Sequence, residues 1–463
     1  MTEPGPALSA TESLCPVCLK VLPAEIRRRG EEIILSRVCP EHGPWAEVIW
    51  RGEPAFEKWR RPKAAAEGIK RQTSHDRGCP FDCGICPGHA QKSCAVLFEI
   101  TGRCNLKCPV CFADVNEKKA ETAFTPLPAL LEQLRWIRRQ AGAVVLQLSG
   151  GEPTLYPDLP SLVREAAALF PAVQLNTNGL RLAEKPALAH DLAEAGLSWV
   201  FLQFDGVSDR VFEIMRGRPL LEKKKDVVAA CREAGLSVVL TPTVAAGIND
   251  GELGELVRLA ISWAPTVRGV HIQPMTSSGR NHLAGAAHRL TLPETLSRLQ
   301  EQTNGLVKPE QASPPGCEHE RCSFHLRYRL TEGGVLAPLP GDKGCGCGPP
   351  DEAACSPAET ERSLRRSIET VIRSWRQPAI PMAANAQTAP DAFDEFINKA
   401  SRETFSITAM AFQDVWTVDL KRLQGCCVHV FVPPASLIPF CSFNLTSSDG
   451  RPLHRKPNDH ARI

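Results

Sequence analysis

Nineteen of the 463 residues are cysteine, and they fall in blocks. Cys15, Cys18 and Cys39 come first, then Cys79, Cys83, Cys86 and Cys94, then Cys104, Cys108 and Cys111. Cys231 stands alone before a second series at Cys317, Cys322, Cys345, Cys347, Cys355, Cys426, Cys427 and Cys441. Cysteine used only as a small hydrophobe would be spread through the core, whereas short, repeated spacers bring several sulfurs to one metal centre. Residues 1–14 lack a basic start followed by an apolar block, so a cytoplasmic location is expected. A reducing compartment favours metal ligation over disulfides.

Charge excludes a bulk electrostatic binder: 54 Lys and Arg face 52 Asp and Glu, a net charge of +2, so no nucleic-acid partner is expected. No apolar run approaches the roughly eighteen residues that span a bilayer. Peripheral contact with a membrane stays open.

Between the two cysteine series, six short apolar runs at 95–101, 144–151, 172–179, 199–206, 236–244 and 267–275 alternate with helical periodicity at 127–140, 159–170, 186–195, 221–234 and 251–263. Strands apolar on both faces that alternate with helices predict a parallel sheet with right-handed crossovers. Six such units suit a partial (β/α)6 barrel; an open doubly wound sheet fits the periodicity nearly as well. The expected organisation is a knuckle region at 1–75, an auxiliary-cluster segment at 76–94, the α/β barrel at 95–290, and a cysteine-containing C-terminal extension at 291–463 with a Pro/Ala-rich linker near 377–391.

In parallel α/β folds chemistry gathers at the carboxyl ends of the strands. Polar and glycine-rich signals end the first four runs: Thr101 to Cys104, Ser149-Gly150-Gly151-Glu152, Asn176-Thr177-Asn178-Gly179, and Gln203-Phe204-Asp205. Cys104, Cys108 and Cys111, in C-x3-C-x2-C spacing, follow the first. Three thiolates leave one iron of a [4Fe-4S] cube free to bind a ligand, whereas a zinc knuckle with a distant fourth ligand would leave the rim signals unexplained.

The stretch 99–113, EITGRCNLKCPVCFA, resembles the cluster loop of the radical S-adenosylmethionine (radical SAM) superfamily, and Gly150-Gly151-Glu152-Pro153 resembles its second-strand motif. The resemblance implies a [4Fe-4S] cluster on Cys104, Cys108 and Cys111 that chelates S-adenosyl-L-methionine and cleaves it reductively to a 5′-deoxyadenosyl radical. It also implies that Gly150 to Glu152 receive the methionine amino group and that Phe112 lies near the adenine. Consecutive glycines allow close main-chain approach, and Glu152 suits an ammonium donor. Asn176, Asn178, Gln203 and Asp205 offer hydrogen-bonding groups for ribose and methionine; a turn cap is the alternative for the Asn pair. Thr243 and His271 to Gln273 read mainly as packing.

Cys15-Pro-Val-Cys18 and Cys39-Pro-Glu-His42 have the form of a knuckle, three thiolates with His42 or a distant cysteine, for zinc or for rubredoxin-like iron. Cys79, Cys83, Cys86 and Cys94 supply four thiolates locally for an auxiliary [4Fe-4S] cluster, with zinc the alternative; His89 reads as a solvated loop imidazole. A third cluster on Cys317, Cys322, Cys426 and Cys441 is expected, Asp414 reads as a surface carboxylate, and the basic tail after Pro452 reads as disordered.

A knuckle and a cysteine block directly before the cluster loop resemble the branch that includes the tetraether lipid synthase and the methylase of methanopterin's pterin ring. That likeness implies hydrogen abstraction from an unactivated carbon, for methylation or carbon–carbon bond formation on a lipid- or pterin-like small molecule. It also implies an electron donor such as flavodoxin or ferredoxin. A radical SAM peptide maturase and a non-catalytic iron–sulfur or zinc scaffold are the competing readings.

Overall fold

A computed structural model describes residues 5–74, 76–114, 124–281, 283, 289–331, 334–339, 356–377 and 403–455. Cys345, Cys347 and Cys355 and all but the first residue of the expected 377–391 linker lie outside them.

The N-terminal segment is an antiparallel meander of β1 (Ala7–Leu14), β2 (Val21–Arg29), β3 (Glu32–Cys39) and β4 (Gly43–Arg51). Arg29 pairs with Glu32 across a two-residue turn, and Gly30 takes the positive φ of 59° that such a hairpin needs. The meander is docked by Arg37, 3% exposed, whose guanidinium donates to the carbonyls of Leu14 (2.6 Å), Val415 (3.1 Å) and Trp416 (3.0 Å). Burial pulls its pKa down to about 10, so these carbonyls compensate the lost hydration only in part.

The six expected strands form. They are β5 (Ala95–Thr101), β7 (Val145–Gly150), β8 (Ala172–Thr177), β9 (Trp199–Gln203), β10 (Val238–Thr241) and β12 (Val267–Pro274), all parallel and hydrogen-bonded in that order. Between β5 and β7 lies the two-residue β6 (Val110–Cys111), and β11 (Thr243–Val244) continues from β10. Helices cover the outer face; Leu127–Ala141 buries Leu130, Leu134 and Ile137, one stripe of its surface.

The C-terminal third, expected as an extension after residue 290, belongs to the same sheet. After β13 (Arg280–Asn281), which pairs antiparallel with β6 beside the cluster loop, come β14 (Ser323–Leu330), β15 (Leu336–Pro338), β16 (Thr404–Met410), β17 (Val428–Val432) and β18 (Ser436–Pro439). β16 adds in parallel to β12 and β17 in parallel to β5, so the half-barrel curls through eight parallel strands with antiparallel β14 and β15 beyond one edge and β18 beyond the other. Helix Pro357–Trp375, started by a Ser356/Glu359 capping box, brings Trp375 against Trp199 (5.7 Å between ring centroids) and Phe201 (5.5 Å) inside the barrel.

Two further expectations change. Asp414 is fully buried and accepts from the Ser277 (2.8 Å) and Trp416 (3.0 Å) amides, because it closes a turn beneath the barrel edge. Of the tail after Pro452, residues 456–463 lie outside the described residues, while Arg455 is 7% exposed and grips both oxygens of Glu99 at 3.0 and 2.8 Å. No helix among the described residues is long and apolar enough to cross a membrane.

Replacing Arg37 by Met removes three charge-assisted hydrogen bonds and should weaken docking of the meander by on the order of 3 kcal/mol. Faster amide hydrogen exchange along β3, with the barrel strands unaffected, is the expected readout.

Candidate active site

Successive inward residues of the parallel strands line a cavity of about 330 Å³, and its mouth is built from the strand ends. The loop after β5 carries Cys104, Cys108 and Cys111 into that wall, and Gly150 and Gly151 border the same space. The two segments are stitched by main-chain bonds: Gly151 N–H donates to Thr101 (2.8 Å) and Glu152 N–H to Arg103 (2.7 Å). Gly150 sits at a φ of 128°, and a methyl group at Gly151 would overlap the Arg103 carbonyl. Glycine is therefore required here first for strand-to-loop contact. With both amides engaged, the segment offers carbonyl oxygens, the acceptors that an ammonium needs.

Glu152, 1% exposed, is already saturated. Its Oε1 accepts from Thr154 N (3.0 Å), Thr154 Oγ1 (2.5 Å) and Thr177 Oγ1 (2.6 Å), and Oε2 from Asn178 N (2.8 Å). Its structural work is to lock the end of β8 to that of β7. Asn178 Nδ2 in turn donates to Asn105 Oδ1 (2.7 Å) in the cluster loop.

Asp205 also works from behind the wall. It is 2% exposed, outside the cavity lining, and holds Arg216 through both carboxylate oxygens at 2.7 and 2.6 Å. Arg216 reaches the cavity, donates to Val110 O (3.1 Å) and lies beside the Cys108 thiol. Burial opposes its charge, but Asp205 and Cys108 hold the guanidinium above its ordinary pKa. Burial raises the Cys108 thiol and Arg216 offsets part of that; the Cys104 thiol is pushed by burial up to about 12. A metal centre bound by these thiols would replace their protons.

Ser149, Asn176, Asn178 and Gln203 line the cavity. Asn176 accepts from Gln174 (2.6 Å) and donates to Gln147 (3.3 Å), leaving a neutral polar rim. Phe112 meets Phe412 (6.0 Å) and Phe440 (5.6 Å) edge-on, so the 412 region contributes wall and not only packing. Sequence reasoning missed Arg216, Phe440 and Arg455; each comes from a distant segment whose local pattern is ordinary.

The remaining cysteines sort differently from their order in the chain. Cys15, Cys18, Cys39 and His42 do converge, their ligand atoms within 4.8 Å of one another, and His42 Nδ1 lies 3.6 Å from Cys15 Sγ and 3.5 Å from Cys39 Sγ. Cys79, Cys83 and Cys86 interact as one group, with Ser442 Oγ 3.3 Å from Cys83 Sγ. Cys94 leaves that block. Strand β5 carries it to the opposite end of the barrel, where it joins Cys427, 2.8 Å away, and Cys317, all within 4.8 Å. The physical reason is register: Ala95 pairs with Val428, which sets Cys94 beside Cys427. Cys317 is therefore withdrawn from the expected third set, and Cys322, Cys426 and Cys441 remain as mutual neighbours beside Arg422, whose Nε is 3.1 Å from Cys322 Sγ. Cys317 is held well below the ordinary thiol range by hydrogen bonds from Cys427 and Cys94. His89 is 4% exposed, 3.1 Å from His429, and not a solvated imidazole.

A half-barrel of parallel strands with a three-cysteine loop after the first and a Gly-Gly turn after the second defines a class, and comparison agrees. A family profile described as "Radical SAM superfamily" matches residues 98–260, and one described as "HMPTM N-terminal zinc ribbon domain" matches residues 7–51. The chain is 31% identical over 484 aligned residues to 7,8-dihydro-6-hydroxymethylpterin dimethyltransferase of Methanocaldococcus jannaschii, covering 94% of this chain and 93% of that protein. This chain belongs to the radical SAM superfamily and is an enzyme of that class. It is also similar to GTP 3′,8-cyclase of Paenarthrobacter nicotinovorans, at 26% identity over 56% of this chain and 72% of that protein. Among solved structures it is similar to Streptococcus suis SuiB bound to precursor peptide SuiA, with a TM-score of 0.38, 18% identity, and coverage of 47% of this chain and 46% of that one. It thus spans about half of that solved structure's length.

Gly151→Ala should displace the Arg103 carbonyl and with it the cluster loop. The expected result, in anaerobically reconstituted protein, is loss of about four irons per chain relative to wild type, with the N-terminal metal retained.

Proposed function

We propose that this enzyme reductively cleaves S-adenosyl-L-methionine and directs the resulting radical to an unactivated carbon of a pterin-like substrate, for methylation or carbon–carbon bond formation. The observation that carries it is that the three cluster-loop thiols and the Gly150–Gly151 turn border one cavity at the carboxyl ends of the strands. Three thiols in a buried wall fit a [4Fe-4S] cube that keeps one iron open. When bound, that cluster supplies the electron that breaks the sulfonium carbon–sulfur bond, giving methionine and a 5′-deoxyadenosyl radical.

The chain's own residues do the rest. Cys104, Cys108 and Cys111 hold the cluster, and Arg216 places a permanent positive charge beside Cys108, favouring a reduced, more negative centre. The Gly150 and Gly151 carbonyls receive the methionine ammonium, Asn176 and Gln203 face ribose hydroxyls, and Phe112 packs against adenine. Walls formed by Leu97, Val145, Phe201 and Trp375 exclude water from the reacting carbon. Those apolar walls also favour a second reading, in which a lipid hydrocarbon chain enters the barrel.

The groups Cys79/Cys83/Cys86, Cys94/Cys317/Cys427 and Cys322/Cys426/Cys441 would hold auxiliary clusters or metal ions, and Cys15, Cys18, Cys39 and His42 zinc or iron. Three sulfurs and one imidazole nitrogen suit tetrahedral zinc. A flavodoxin or ferredoxin would deliver the electron. Pterin as substrate is supported by the relative that matches almost the whole chain.

Reconstituted, reduced protein should convert S-adenosylmethionine to 5′-deoxyadenosine. Cys108→Ala should lower that yield at least a hundred-fold while leaving the metal of the N-terminal meander in place, measured by chromatography and metal analysis. A wild-type protein that yields no 5′-deoxyadenosine would leave only the scaffold reading standing.

A further inference from the structure

One row of side chains inside the barrel has no part in the chemistry above. Thr241 on β10 and His271 on β12 lie one residue beyond the Leu240–Val270 pair. His271 pairs with Thr408 on β16, and Thr408 with His325 on β14. All four border the cavity, two residues below Gln273 on β12 at its rim, a depth of about 7 Å. The row is a line of hydroxyl, imidazole, hydroxyl and imidazole across four neighbouring strands.

Its hydrogen bonding within the protein is incomplete. Thr241, 8% exposed, has a buried Oγ1 without a partner among the described residues. His271, also 8% exposed, spends Nδ1 on Thr408 Oγ1 at 2.8 Å, which leaves Nε2 for a partner in the cavity. Burial pulls the imidazole down to about 3, so it is neutral and carries one donor and one acceptor. The Phe201 ring lies 5.1 Å from the imidazole and Trp375 lies 6.0 Å away, and Trp375 is itself fixed by a 2.9 Å bond to Ser406 Oγ.

We propose that this row is the substrate-recognition wall, taking a planar, uncharged heteroaromatic ring that bears lactam N–H and C=O groups. The inference rests on the radical SAM reading of the same cavity and selects the ring over the hydrocarbon chain. A hydrocarbon would leave Thr241 Oγ1 and His271 Nε2 buried and unpaired, whereas a lactam ring satisfies both and stacks on Phe201 and Trp375. A site of this kind rejects ligands that lack the matching polar groups far more strongly than an apolar slot rejects extra size. Pterins and guanine share this chemistry.

The test is equilibrium binding to the anaerobically reconstituted holoenzyme, with 6-hydroxymethylpterin, guanosine, and dioleoylphosphatidylglycerol vesicles as separate probes. The expected result is binding of 6-hydroxymethylpterin or guanosine, with the tighter of the two naming the source, weakened about ten-fold or more by Thr241→Val and by His271→Leu. His271→Gln, which keeps a hydrogen-bonding side chain, should recover part of the loss. Iron content and circular dichroism monitor folding, and if His271→Leu fails them, the isosteric Thr241→Val decides. Unchanged ring binding in Thr241→Val, or vesicle binding with no ring binding by wild type, would overturn the proposal. Wild-type 5′-deoxyadenosine formation is measured separately, so loss of ring binding with cleavage intact sinks this wall and not the radical chemistry.

Discussion

The site depends on one close approach, the main chain of the cluster loop lying directly against the Gly150–Gly151 turn. Two amide–carbonyl bonds, Gly151 to Thr101 and Glu152 to Arg103, fix that approach, and only residues without a Cβ permit it. Loops are ordinarily the least ordered part of a parallel barrel. Here the loop that carries the three thiols is tied to the neighbouring strand end, so its position is set by the sheet.

Around this contact, buried charge acts as scaffold. Glu152 gathers donors from Thr154, Thr177 and Asn178, and Asp205 clamps Arg216, which reaches the back of Cys108. A buried carboxylate or guanidinium is costly unless its hydrogen-bonding capacity is filled, and both carboxylates are filled by protein. The carboxylates that look from the sequence most like ligand contacts, Glu152 and Asp205, are thus spent on holding the rim together.

The barrel also gathers the cysteines. Parallel pairing of β17 with β5 puts Cys427 beside Cys94, and the entry to β14 adds Cys317, so thiols from three remote segments meet at the amino-terminal end of the strands. At the other end Phe412 and Phe440 close over Phe112. The C-terminal third is therefore part of the active-site wall, which explains why its own sequence pattern is difficult to read in isolation: β16 and β17 join the sheet beside β12 and β5, strands from distant parts of the chain.

What the amino-acid sequence determines alone is whatever is encoded locally: the six parallel strands, marked by short β-branched runs between helical periods; the three-cysteine loop and the Gly-Gly turn, marked by spacing; and the three thiols of the N-terminal knuckle, to which the structure adds His42. Tertiary structure alone decides which cysteine joins which group, that the Glu152 carboxylate is filled by protein donors and Asp205 supports Arg216 from behind the wall, that Arg455 locks onto Glu99, and that Thr241, His271, Thr408 and His325 form a row. The reason is that spacing constrains ligands a few residues apart, whereas strand order and register, set by burial across the whole sheet, choose neighbours between segments that carry no local mark of one another.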